Sequence, residues 1–283
     1  MYKKLLFFIL LIFSAITNLN MHAIFYKIEV LEKDGKKVYL LGDVHRDFDD
    51  EKRTNQQRND AVKIAKQLNA FCFFEDKWHY EGKNASIISG IKFDIRLRND
   101  ILRKLTPTGT VGNKQRSPCM GICYKCTKKN ILFKNIEFRH YLEFTSAEEG
   151  KTIKNVLITA LAKKYESSSE LAPIWKDNQF SLSEMKLVDL KLIYEFYNEW
   201  KQNKRNNYLI GAGSLHTDVL SQTLQNQFQF KKILEKTTVN AEQLKAIEQD
   251  SRPINGTDVE QMYIDLDKFF DSILNPTQLH SKL

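Results

Sequence analysis

The chain has 283 residues, with 42% hydrophobic and 28% charged side chains, and 43 Lys and Arg against 35 Asp and Glu give a net charge of +8. A chain of this length buries a sizeable core and needs no staples, so its 4 cysteines are not required to hold the fold. The basic excess is spread along the chain, densest at Lys128-Lys129, Lys163-Lys164 and Lys201 to Arg205. Such runs read as solvated helix ends and loops, not as a nucleic-acid footprint, and no nucleic acid is expected as a partner.

Met1-Tyr2-Lys3-Lys4, the apolar run Leu5 to Ile16 and the polar stretch ending at Ala23 have the layout of an export signal, with cleavage expected close to Ala23. The apolar run is shorter than the roughly 20 residues a stable membrane anchor requires. Residues 1–23 are therefore read as a signal peptide, and no stable membrane anchor is expected after cleavage. Residues 24–283 form one α/β domain, exported to a periplasmic or secreted location.

Ile24 to Val30 and Lys37 to Leu41 are β-type runs around Asp34-Gly35, a hairpin turn signal. The second strand leads into Gly42-Asp43-Val44-His45. A helix is expected from the charged Asp47–Arg53 stretch to about Asn69, then a strand Ala70 to Phe74 ending on Glu75. This β-α-β order predicts parallel strands whose carboxyl ends lie side by side. Residues 91–105 read as helical and 106–128 as a long cysteine-bearing loop, rich in Gly and Pro. Ile136 to Tyr141 is expected to be a strand, followed by helices over 147–167 and 183–203. Asn207 to Ile210 reads as a short buried strand running into Gly211-Ala212-Gly213-Ser214-Leu215-His216. The remainder, 236–283, reads as a helical C-terminal segment, with helices near 241–249 and 258–273 and a short strand at 228–234. The fold class expected is a central mixed β-sheet flanked by helices.

Two apolar strands thus end in Gly-x-x-His, and a third ends in a carboxylate. In open α/β sheets the ligand crevice lies beyond the carboxyl ends of the strands. His45, Glu75 and His216 are therefore candidate ligands of a divalent metal ion of Mn, Co or Zn type, with room for a water that the ion acidifies. Glu75 doubles as candidate general base. Arg139 is a candidate for binding a substrate carboxylate or a developing oxyanion.

The hairpin leading into Gly42-x-x-His45, the helix and strand ending at Glu75, and the late Gly-Ala-Gly turn before a second histidine resemble the TIKI/TraB-type (GumN-like) proteins. These are related to the erythromycin esterase and haem-binding ChaN-like group. The resemblance covers residues 24–76 and 206–220, and the middle of the chain only by order of elements. It implies an EreA/ChaN-like fold and metal-dependent hydrolysis of a peptide or ester, with His45, Glu75 and His216 as the matching positions. The chain departs from the pattern at Ser214, which stands where the family places its second histidine. The alternative on the same scaffold is a non-catalytic haem- or metal-binding protein. Gly42-Asp43-Val44-His45 also resembles the opening block of calcineurin-like phosphoesterases, but the later blocks of that family are missing.

Cys119, Cys123 and Cys126 have the spacing of a radical-SAM cluster motif. An exported setting favours a disulfide within the triplet over a metal knot. Cys72, inside an apolar strand, reads as a small core residue.

Overall fold

The structure is a computed structural model and describes residues 23–45, 51–75, 122–137, 139, 147–202, 205–249 and 260–274. The expected helix at 91–105, Cys119 and most of the cysteine-bearing loop lie outside the described residues, as does the signal segment before Ala23.

β1 (Ala23–Lys33) and β2 (Lys36–His45) form the expected hairpin. Its turn is Asp34-Gly35, with φ of 53° and 71°. Positive φ at both central residues is the twist-matched hairpin geometry that Asp-Gly favours. β2 does not end in a turn at Gly42: it continues as strand to His45, whose backbone pairs with Ala23. α1 (Glu51–Gln67) leads to β3 (Phe71–Phe74). After α2 (Ile122–Lys128), a helix inside the region read as loop, comes β4 (Phe133–Asn135). β4 stops just before the strand expected at 136–141: Ile136 still donates its N–H to Phe74 O at 2.9 Å, but neither it nor Glu137 belongs to a strand.

α3 (Ala147–Glu166) and α5 (Glu184–Gln202) match the two long helices foreseen. Between them α4 (Ala172–Asn178) carries a proline in its first turn, where the missing N–H costs nothing. β5 (Asn207–Gly213) runs directly into α6 (Ser214–Asn226). β6 (Lys231–Thr237) begins later than the expected strand and takes the start of the segment read as helical. α7 (Ala241–Gln249) is opened by reciprocal bonds between Asn240 and Gln243, and α8 (Leu266–Leu274) by Asp265 Oδ1 accepting the Lys268 N–H at 3.0 Å. The helix expected over 258–273 is broken at residues 263–265. Among the described residues no helix is long and apolar enough to cross a membrane.

The six strands form one mixed sheet in the order β4-β3-β5-β2-β1-β6. β2, β5, β3 and β4 run parallel, and β1 and β6 add an antiparallel margin. β2 and β3 are parallel as expected but not adjacent, because β5 sits between them. A buried run such as Tyr208-Leu209-Ile210 suits a central position, where both faces are covered. Side chains alternate between the faces: Val38, Leu40, Phe71, Phe73, Tyr208 and Ile210 pack under α3, α4, α5 and α6, while Tyr39, Leu41, Cys72, Phe74 and Leu209 pack under α1, α2 and α8.

α6 shows why its sequence lies flat on the sheet. His216, Leu220 and Leu224 recur at helical spacing and are buried, while Leu215 faces solvent. Gly42 permits the close approach of this helix: a Cβ there would stand 3.0 Å from Thr217 Oγ1 and 3.4 Å from Ser214 Cα. The glycine of the first Gly-x-x-His is therefore a packing requirement. It lies within β2 opposite Lys27, where the pairing with β1 shifts register between Phe25 and Lys27.

Candidate functional site

Glu75 follows β3 and continues its alternation onto the face of Phe71 and Phe73, beneath α5 and α6. Its backbone N–H donates to Gly211 O at 3.0 Å, which ties the strand end to β5. Its carboxylate is 2% exposed as a residue and is held from two sides. Oε2 accepts the Gly213 N–H at 2.8 Å, at the head of α6, where no side chain caps the helix. A carboxylate at a helix N-terminus meets both an unsatisfied donor and the positive end of the helix dipole. Oε1 accepts from Arg139 Nη2.

Arg139 stands just beyond β4 and is shared between two carboxylates. Glu137, fully buried, receives Arg139 Nη2 at 2.6 Å, Nε at 3.1 Å and the Arg139 backbone N–H at 2.6 Å. Burial works against the guanidinium charge, but Glu137 and Glu75 outweigh it and hold the pKa above its ordinary value. Arg139 Nη1 is the edge that neither carboxylate takes, and it lies against the sulfur of Met185.

His216 is in the first turn of α6 and 2% exposed. Its Nδ1 lies 2.6 Å from Asp189 Oδ1, a buried carboxylate on the inner face of α5. Its Nε2 faces Glu75 Oε1 at 3.9 Å, too far for a hydrogen bond, and among the described residues it has no hydrogen-bond partner. Burial alone would lower the imidazole pKa. The bond to Asp189 and the charges of Glu75 and Asp189 override it and raise the pKa above the usual value, with Arg139 opposing.

Three of the four residues singled out for chemistry, Glu75, Arg139 and His216, are thus brought together. His45 ends β2, two residues past Asp43, the strand partner of Gly213; its side chain lies outside the described residues. Ser214 is buried at the start of α6, where its carbonyl accepts the Thr217 hydroxyl at 2.9 Å. Among the described residues no three His, Cys, Asp or Glu side chains are grouped to hold a metal ion. Cys123 and Cys126 are buried on α2 in the same core as Cys72.

Asp189, Glu137 and Lys191 belong to the site and were not foreseen. Lys191 is buried on α5, donates to Asn135 O at 2.9 Å, and burial lowers its pKa to about 8. The signal was present: Leu187-Val188-Asp189-Leu190-Lys191-Leu192-Ile193 embeds two charges in an otherwise apolar stretch of helix. Buried charges of this kind are rare unless paired. No family model, characterised protein or solved structure matches the chain.

Proposed function

We propose that the chain is an exported hydrolase of amide or ester bonds, on an EreA/ChaN-like scaffold of TIKI/TraB type, in which His216 and Glu75 carry the chemistry. One observation carries this reading. A buried imidazole has one nitrogen fixed by a carboxylate and the other left without a hydrogen-bond partner among the described residues, beside a second carboxylate, at the carboxyl ends of the parallel strands of the mixed sheet.

A divalent ion of Mn, Co or Zn type belongs to this proposal. Donors 3.9 Å apart are within the span of one ion bound at about 2.0–2.2 Å from each. A histidine whose far nitrogen is held by a carboxylate is also the usual form of a metal-ligating imidazole. His216 Nε2 and Glu75 Oε1 would hold the ion, with His45 the further ligand expected from the sequence. The chemistry supplied would be acidification of a water. Arg139 already engages Glu75 Oε1, so ion uptake requires the guanidinium to withdraw onto Glu137, which grips it through Nε and Nη2.

The chain's own groups have distinct tasks. Without an ion, His216 Nε2 accepts a proton from the attacking water and returns it to the leaving group; with an ion held there its lone pair is a ligand instead, and Glu75 is the base, as expected from the sequence. Glu75 and Asp189 favour the imidazolium formed in between. Arg139 Nη1 is the part of the guanidinium left to meet a developing oxyanion.

A non-catalytic metal- or haem-binding protein is the second reading, favoured by Ser214, buried at the position where the family places its second histidine. Turnover separates the two. The exported protein, incubated with a panel of peptides and esters with and without each ion, is expected to cleave members of the panel. Retention of a stoichiometric metal or haem with no turnover under any condition selects the binding protein.

A further inference from the structure

Asp189 interrupts the apolar inner face of α5, between Val188 and Leu190, and is 8% exposed. A carboxylate in such surroundings is costly unless its charge is met by strong hydrogen bonds. Its bond to His216 Nδ1, at 2.6 Å, is short and in the range of charge-assisted contacts. An ionised carboxylate can only accept, so the proton of this bond belongs to Nδ1. In the neutral ring the other nitrogen must then carry a lone pair. That nitrogen, Nε2, is the atom that faces Glu75 Oε1 at 3.9 Å and has no hydrogen-bond partner among the described residues. A pairing that served packing alone would be expected to satisfy both ring nitrogens, because an unpartnered buried polar atom costs about 1–3 kcal/mol.

We infer that Asp189 is the positioning residue of the site: it holds His216 as the Nδ1–H tautomer and so presents the Nε2 lone pair toward Glu75. The inference rests on the reading that His216 acts through Nε2. It adds a residue that touches neither a water nor a substrate and sets which ring atom can accept a proton or an ion. The fold supports the role from both sides. α5 packs against α6, so the two residues sit on helices that face each other. Tyr165 donates to Leu190 O at 2.6 Å, which fixes the turn of α5 carrying Asp189.

The test reads the tautomer directly, in the protein alone. Nitrogen-15 spectra of histidine-labelled protein are recorded at alkaline pH, where the ring is neutral, and the His216 signals are assigned by their loss in His216→Gln. In the wild type, Nδ1 is expected to resonate in the N–H range and Nε2 in the lone-pair range. In Asp189→Ala or Asp189→Leu, Nε2 is expected to move toward the N–H range while the fold, followed by far-ultraviolet circular dichroism, is kept. A stably folded variant with the wild-type nitrogen pattern overturns the inference, because another group is then setting the tautomer. Should neither variant fold, the wild-type spectrum still decides, since an Nε2–H resonance there overturns the assignment. No substrate or ion enters this measurement. It therefore stands or falls apart from the hydrolytic reading, which turnover tests.

Discussion

Replacing Glu75 by alanine removes one carboxylate from Gly213 and Arg139 at once, and the expected cost can be assembled from the two. The Gly213 N–H, 2.8 Å from Oε2, loses its acceptor in a buried place, which costs about 1–3 kcal/mol. Arg139 loses one of two carboxylates. Stranding a buried charge altogether costs about 3–5 kcal/mol, but Glu137 still holds this one, so about 1 kcal/mol is the appropriate share. Relief from burying Glu75 itself offsets part of both. The net expectation is a loss of about 1–3 kcal/mol, or a fall in Tm of roughly 2–12 °C for a domain of this size. Glu75→Gln keeps an acceptor for Gly213 and should lose about half as much. Urea unfolding followed by circular dichroism measures both variants. If Glu75→Ala unfolds within about 0.5 kcal/mol of the wild type, the carboxylate does not anchor the junction of β5 and α6, and the geometry derived for the site is wrong.

Gly42→Val should destabilise by about 1–3 kcal/mol without altering the hairpin turn, because the new side chain meets Thr217 Oγ1 and the backbone of Ser214; denaturant midpoints of this variant and of Gly35→Ala, which meets only open space but has φ of +71°, separate crowding from backbone strain. Lys191 has its pKa lowered by burial from 10.5 to about 8, so the unfolded chain binds more protons between those pH values and folding stability rises with pH across them. The wild type should therefore gain up to about 3 kcal/mol relative to Lys191→Met between pH 8 and 10.5, read from urea titrations at each pH; a difference independent of pH would show that Lys191 does not titrate in the buried state.

The hairpin was readable because Asp34-Gly35 encodes its turn locally, and both long helices were readable from their apolar periodicity. The seat of β5 between β2 and β3 was not, since the pairing of parallel strands far apart in the chain is decided by packing and not by neighbours in sequence. The same limit governs the site. Glu75 and His216 could be named because each follows a strand, and strand ends on one sheet edge converge. Asp189 could not be paired with His216 in advance, because only the packing of α5 on α6 brings them together. The glycines of the two Gly-x-x-His segments pointed to the right places, but the reason each is glycine is visible only in the packing. Neither requires positive φ: Gly42 makes room for α6, and Gly213, at φ −51° and ψ 141°, ends a strand and hands its N–H to Glu75.

The most direct test of the central claim compares kcat/KM of the wild type and His216→Gln on the best substrate found in the peptide and ester panel. Glutamine keeps a polar side chain beside Asp189 but cannot take a proton from water, so the account predicts a fall of roughly 10²–10⁴-fold with folding retained. Equal kcat/KM in the two proteins would contradict it, and would move the chemistry away from the Asp189, His216 and Glu75 cluster altogether.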